Sequence, residues 1–212
     1  MRLGDVAPDF SASTTQGPLT LHAYKRDSWA VLFSHPEDFT PVCTTELGAV
    51  ARLQREFDAR GVKVIGLSCS SLQDHHTWIQ DINETQDCSV AFPIIADPTR
   101  EIAALYDMLD HQDETNVDAA GMPLTVRAVF VLDPRNMVRL MITYPASCGR
   151  NFVEILRVID SLQLTDSRKV ATPADWRVGD DVIVHNSLKG DEALKLFPDM
   201  RTVKPYLRFT KI

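Results

Sequence analysis

The sequence predicts an α/β fold with a mixed central sheet flanked by helices, and three observations carry that prediction. Short runs rich in β-branched and aromatic residues alternate with helical patterns between residues 29 and 165. The last run follows the Asp133-Pro134-Arg135-Asn136 turn, which makes the final two runs an expected hairpin. Of the 212 residues, 44% are apolar and 24% charged, which suits a soluble globular chain with a sizeable core.

Taken in order, the strands predicted are Trp29 to Phe33, Val62 to Leu67, Phe92 to Ile95, Val126 to Leu132 and Val138 to Thr143. Helices are predicted over Pro41 to Arg60, Leu72 to Glu84, Thr99 to Leu109 and Asn151 to Leu162. In the first, Leu47, Val50, Leu53 and Phe57 recur at spacings of three and four, which puts them on one face. This order of elements is compatible with a thioredoxin-like core. His111 to Gly121 is polar and acidic and reads as a loop. After Leu164 the texture changes to short pieces broken by Pro173. The expected division is therefore a main domain over 1–165 and a C-terminal extension over 166–212. So small an extension is expected to pack on the main domain or on another subunit. Its apolar anchors are Val182, Ile183, Val184, Leu194, Phe197, Tyr206, Leu207 and Phe209.

Charge and hydropathy exclude whole classes of partner. With 22 basic and 29 acidic residues the formal charge is −7, so a phosphate-tracking surface has no support and nucleic acid is not an expected partner. Apolar runs such as Trp29 to Phe33 are far shorter than the ~20 residues that cross a bilayer. The first residues, Met1-Arg2-Leu3-Gly4-Asp5, carry no apolar signal segment, and the expected location is cytoplasmic.

The four cysteines stand at 43, 69, 88 and 148, with no Cys-x-x-Cys pair. None has a histidine or second cysteine at zinc-ligand spacing, and His75 and His76 diverge on a helix because neighbouring side chains lie ~100° apart. Neither metal nor another cofactor is expected. The thiols read as mostly buried, with at most one or two reactive.

Position singles out Cys43. Thr40-Pro41 is a helix start, with threonine as N-cap and proline at N1, which makes Cys43 the third helical residue. A sulfur there lies near unpaired N–H groups and the positive end of the helix dipole, which favour the thiolate. Helix geometry alone leaves a second reading open, a small buried hydrophobe under the helix.

The segment Pro36-Glu37-Asp38-Phe39-Thr40-Pro41-Val42-Cys43 resembles the Pro-x-x-x-Thr-x-x-Cys motif of the peroxiredoxins, thiol peroxidases of thioredoxin fold. Ser34-His35-Pro36 and Pro41-Val42-Cys43-Thr44-Thr45-Glu46-Leu47 are similar to their one-cysteine subgroup, the peroxiredoxin-6 type. So, in the same order, are Thr125 to Phe130, Tyr144 to Phe152, Glu154 to Arg157, Ser161 to Thr165 and Ala171 to Trp176. The likeness runs through essentially the whole chain.

This resemblance implies a thiol-dependent peroxidase acting on hydrogen peroxide and organic hydroperoxides in antioxidant defence. Cys43 would be the peroxidatic thiolate, passing through sulfenic acid. Arg127 would set a fixed positive charge beside the sulfur and polarise the peroxide, with Arg150 as the second arginine. Thr40 would orient the peroxide while capping the helix, Pro36 would shield the sulfur from water, Glu46 would hold an arginine, and His35 would border the thiol. The reductant would be an external thiol, glutathione or a thioredoxin-like protein. Cys148 stands where the subgroup commonly has threonine, and whether it comes near enough to pair with Cys43 is left open. Cys69 and Cys88 read as spectators.

The subgroup also implies a homodimer reached through the C-terminal extension, with a decamer left open. Rival readings are a peroxide sensor or redox relay, which would hand its oxidation to a bound client, and a holdase chaperone built from large oligomers. A phospholipase A2 side activity is not expected: Arg26-Asp27-Ser28-Trp29-Ala30 lacks both glycines of the subgroup's serine motif, and Arg135 stands where its aspartate would fall.

Overall fold

The computed structural model describes residues 1–212, which divide into two compact units, Met1–Phe152 and Val153–Ile212. The first opens with a hairpin, β1 (Ser11–Thr14) and β2 (Gly17–Thr20), then α1 (Leu21–Lys25) and β3 (Trp29–Ser34). There follow α2 (Pro41–Arg52), α3 (Gln54–Ala59), β4 (Val62–Ser68), α4 (Leu72–Gln86), β5 (Ile94–Ala96), α5 (Glu101–Leu105), β6 (Arg127–Leu132) and β7 (Val138–Tyr144).

The seven strands form one sheet in the order β2-β1-β5-β4-β3-β6-β7. β3, β4 and β5 run parallel, and β6 pairs antiparallel with β3 and with β7. All six residues of β3 and all six of β6 are buried, as strands covered on both faces must be. Alternation along each strand sorts the side chains. Ala30, Leu32, Ala128, Phe130 and Leu132 join a core with Ile65, Leu67 and Tyr106. Val31, Phe33, Arg127 and Val129 therefore point to the opposite face, where Phe33 meets Phe92 and Phe152 edge to face.

The expected hairpin is present: β6 and β7 pair through the turn in which Asn136 takes φ +65°. Other expectations need correction. The helix predicted over 41–60 breaks at Leu53 (φ −91°, ψ 4°) with no proline or glycine at the break to announce it. The helix predicted over 99–109 shrinks to α5, bounded by left-handed Arg100 and Asp107. Phe92 and Pro93 precede β5 instead of opening it, because proline brings no N–H to the ladder. The sequence does not announce the β1–β2 hairpin because its strands, Ser-Ala-Ser-Thr and Gly-Pro-Leu-Thr, carry no apolar alternation. Gly48 allows α2 and α4 to approach: a Cβ there would stand 2.5 Å from Gln86 Cβ.

The second unit holds most of α6 (Phe152–Ser167) and then β8 (Val170–Ala171), β9 (Val182–Val184), α7 (Gly190–Leu196), β10 (Arg201–Lys204) and β11 (Leu207–Thr210). Its strands form a four-stranded sheet ordered β10-β11-β9-β8, where the sequence suggested only short pieces. Val182 packs with Val170 and Trp176, and Val184 with Leu188 and Ala193. These two valines are thus core residues of their own unit instead of outward anchors. Leu194 and Tyr206 are exposed. No helix is long and apolar enough to cross a membrane.

Candidate active site

The loop between β3 and α2 delivers Cys43 to the first turn of α2, with Thr40 at the N-cap backbone position and Pro41 at N1. Cys43, Glu46, Leu47 and Val50 form the buried face of that helix, and Cys43 is 0% exposed. The thiol is free. Arg127, on the sheet face opposite the main core, donates from Nη1 to Cys43 Sγ at 3.3 Å and to Glu46 Oε2 at 2.7 Å. Its Nε and Nη2 both donate to the Ala146 carbonyl, at 2.8 and 2.6 Å. This fork fixes the guanidinium beside the sulfur in a way that a lysine's point charge cannot reproduce.

Glu46 ties a second arginine into the same cluster. Arg150 donates to Oε1 from its backbone N–H at 2.7 Å and from Nε at 2.9 Å, and to Oε2 from Nη2 at 2.7 Å. Its Nη1 donates to the Ala128 carbonyl at 2.9 Å, and the guanidinium lies 5.2 Å from the Phe33 ring. Burial pushes the Glu46 carboxyl up, but hydrogen bonds from Arg150 and the charges of Arg150 and Arg127 outweigh it and hold the group below its ordinary range.

A second buried network lies behind the loop. Asp38 pairs through Oδ1 with His35 Nε2 at 2.8 Å and through Oδ2 with His75 Nδ1 at 2.5 Å. His75 Nε2 is 3.1 Å from the Ile95 carbonyl, which can only accept, so that nitrogen carries a proton. Burial raises Asp38, yet its bonds to His35 and His75 win and hold it well below the usual carboxylate range. Burial pushes His35 below its ordinary value against the pull of Asp38. Its ring lies 5.2 Å from that of Trp78, whose Nε1 donates to Thr44 Oγ1 at 3.2 Å, next to Cys43.

The residues named from sequence thus come together unevenly. Cys43, Arg127, Glu46 and Arg150 form one hydrogen-bonded cluster, and Pro36 is buried in the preceding loop. His35 turns its Nε2 to Asp38. Thr40 needs correction: its hydroxyl does not cap the helix but donates to the Glu37 carbonyl at 2.9 Å, while its own carbonyl accepts from Thr44. Sequence reasoning missed Asp38 and His75. His35 and Asp38 share one loop and could have been paired by their spacing of three, but His75 is 37 residues from Asp38 and only the fold joins them.

The remaining cysteines sit apart in character. Burial pushes the Cys69 thiol up to about 11, and raises that of half-buried Cys88. Cys148 is exposed. The loop that carries it also lines a cleft of about 870 Å³ with Asp110, His111, Asp113, Tyr144, Pro145 and Ser147 on its walls. Ser28, the serine of the Arg26-Asp27-Ser28-Trp29-Ala30 segment, lies in the turn before β3 with its N–H on the Lys25 carbonyl.

Comparison with known proteins agrees with this chemistry. Residues 3–141 match the AhpC/TSA family, and residues 161–199 match the C-terminal domain of 1-Cys peroxiredoxin. The chain is 51% identical to the mitochondrial peroxiredoxin PRX1 of Saccharomyces cerevisiae over 212 residues, covering 100% of this chain and 81% of that protein. It is 51% identical to human peroxiredoxin-6 over 218 residues, covering 98% and 96%. Among solved structures, a Cys-to-Ser mutant of peroxiredoxin 6 from Arenicola marina superposes with TM-score 0.95 at 49% identity, covering 100% of this chain and 98% of that one. A yeast mitochondrial 1-Cys peroxiredoxin, solved to explain thiol resolution through glutathione/thioredoxin systems, gives TM-score 0.92 at 51% identity with both chains fully covered. A seven-stranded mixed sheet of thioredoxin type, a buried thiol under an arginine fork and these full-length relatives lead to one conclusion: the chain belongs to the 1-Cys peroxiredoxins and is a thiol peroxidase that reduces peroxides.

Proposed function

We propose that Cys43 is the peroxidatic residue and that the Arg127 fork activates both it and the peroxide. The observation that carries this reading is the 3.3 Å hydrogen bond from Arg127 Nη1 to Cys43 Sγ, held by Glu46 on one side and Ala146 on the other. A thiolate accepts such a charge-assisted bond better than a thiol. The thiolate attacks the terminal oxygen of R–O–O–H, the O–O bond breaks, sulfur keeps the OH as Cys43–SOH, and RO⁻ leaves and takes a proton to become ROH. Arg127 stabilises the charge that develops on the departing oxygen. Thr40 and Pro36, on the loop that ends in Cys43, orient the peroxide and limit water. Arg150 and Glu46 act by positioning Arg127.

The substrates in this reading are hydrogen peroxide and organic hydroperoxides, and the oxidised sulfur is returned to the thiol by an external thiol, glutathione or a thioredoxin-like protein. The yeast relative solved with those systems in view supports that class of reductant. We further read the chain as a cytoplasmic homodimer, with the 166–212 extension reaching the partner. Exposed Val178, Leu196 and Tyr206 on the C-terminal unit support a contact surface there.

One experiment tests the assignment of the thiol. The protein is treated with one equivalent of hydrogen peroxide, quenched with an alkylating reagent and digested, and each cysteine peptide is weighed. Cys43 loses its alkylatable thiol as the peroxide disappears. A Cys43 that remains fully alkylated after the peroxide is consumed contradicts the assignment.

A further inference from the structure

We propose that Cys148 is a second redox thiol of this chain and captures oxidised Cys43 as an intramolecular disulfide. The inference rests on Cys43 being the residue that peroxide oxidises.

The loop around Cys148 runs along the first turn of α2. On one side, the Ala146 carbonyl is held by the same Arg127 guanidinium that bonds Cys43 Sγ. On the other, a Cβ on Gly149 would stand 3.5 Å from Val42 Cγ1, so that backbone passes close to the side chain preceding Cys43. The next N–H, that of Arg150, bonds Glu46 one turn further along the helix. Cys148 itself closes a turn through its N–H to the Pro145 carbonyl at 3.0 Å, and its side chain is exposed. Cys148 is thus an exposed thiol on a loop tied on both sides to the surroundings of Cys43, whereas Cys69, whose neighbours Ser68 and Ser70 bond Asp38, is buried.

Cys43 is 0% exposed, so any thiol that attacks it must wait for the first turn of α2 to open. The structure shows where that turn is weak. The Thr40 hydroxyl supplies no cap bond, and Phe39, 51% exposed, holds φ +56°, a strained conformation for a bulky residue. Adding the sulfenic oxygen to a side chain with no free surface presses on that turn. The disulfide requires that this opening carry Cys43 toward the exposed Cys148 until their Cα atoms stand within ~7 Å.

The step balances. Cys148 thiolate attacks the sulfenic sulfur, the S–O bond breaks and the S–S bond forms. The hydroxide leaves and takes up the thiol proton as water, giving Cys43–S–S–Cys148. Sulfenic sulfur is reduced, thiol sulfur is oxidised, and an external dithiol later restores both thiols. Disulfide formation competes with the second peroxide that makes the irreversible sulfinic acid.

The test uses the full chain at low concentration with one equivalent of hydrogen peroxide, acid quench, N-ethylmaleimide and non-reducing peptide mass spectrometry. Alkylatable thiols are expected to fall from four to two, with a cross-linked peptide joining residues 43 and 148. In Cys148→Ser and Cys148→Thr one thiol is lost instead, Cys43 is trapped by dimedone as sulfenic acid, and sulfinic acid appears at several-fold lower peroxide. Oxidised Cys43 beside a fully alkylated Cys148, with the same sulfinic yield in both variants, overturns this inference alone. A cross-link found only between chains, growing with protein concentration, also overturns it. Unoxidised Cys43 after peroxide is consumed overturns the reading beneath it.

Discussion

Glu46 and Arg150 are joined by three hydrogen bonds of 2.7 to 2.9 Å in a site where their side chains are 2% and 0% exposed. The same carboxylate holds Arg127 at 2.7 Å, so one acid is shared by two buried guanidiniums, one of them on the Cys43 sulfur. Glu46→Gln leaves two buried cations facing a neutral amide. Breaking a buried ion pair by removing one partner costs about 3–5 kcal/mol, and a loss of that order is expected in urea unfolding. An unchanged midpoint would show that Glu46 does not balance the arginines.

Arg127→Lys keeps the charge and loses the fork. A lysine cannot hold the Ala146 carbonyl with two N–H groups while reaching the sulfur, so the peroxide rate constant is expected to fall about 10²-fold, the scale for losing one preorganised donor. Competition with a peroxidase reporter measures it. Wild-type kinetics in Arg127→Lys would mean that charge without geometry suffices.

Thr40→Val separates catalysis from stability. Because the Thr40 hydroxyl bonds the Glu37 carbonyl and no helix N–H, the variant is expected to lose well under the ~1 kcal/mol typical of a deleted cap, while peroxide reduction slows. Thr40→Ser is expected to keep the rate. A full cap's loss of stability on thermal unfolding would contradict the geometry.

Stability is expected to fall on acidification, in two stages. His35 is held below its ordinary value of 6.5, so the unfolded chain takes its proton first and stability declines as pH drops below about that value. Glu46 and Asp38 are held below their ordinary 4.5 and 3.8, so their contribution is complete above those values and is lost as pH falls through the lower folded ones. The urea midpoint followed from pH 7.5 to about 2 checks both stages. A midpoint that is flat or rises as pH falls would contradict them.

What could be read in the sequence followed from local signals. β3 and β6 announce themselves as unbroken apolar runs because both of their faces are covered, and Thr40-Pro41 marks the start of α2 and so places Cys43 in its first turn. The β1–β2 hairpin and the C-terminal sheet were not legible, since their strands of two to four residues are too short to show a period. The direction of the Thr40 hydroxyl depends on the turn at left-handed Phe39, which no propensity foretells. The Asp38–His75 pair exists only because the loop between β3 and α2 meets α4 in three dimensions. Arg127 and Arg150 were reached by family resemblance; their shared anchor on Glu46 became visible only as geometry.

The most direct measurement compares hydrogen peroxide consumption by the wild-type chain and Cys43→Ser at equal concentration with dithiothreitol as reductant, after circular dichroism has verified that both are folded. The account predicts rapid, catalytic loss of peroxide with the wild type and none above background with the variant. Sustained turnover by folded Cys43→Ser would show that another group carries the oxygen transfer and would contradict the account.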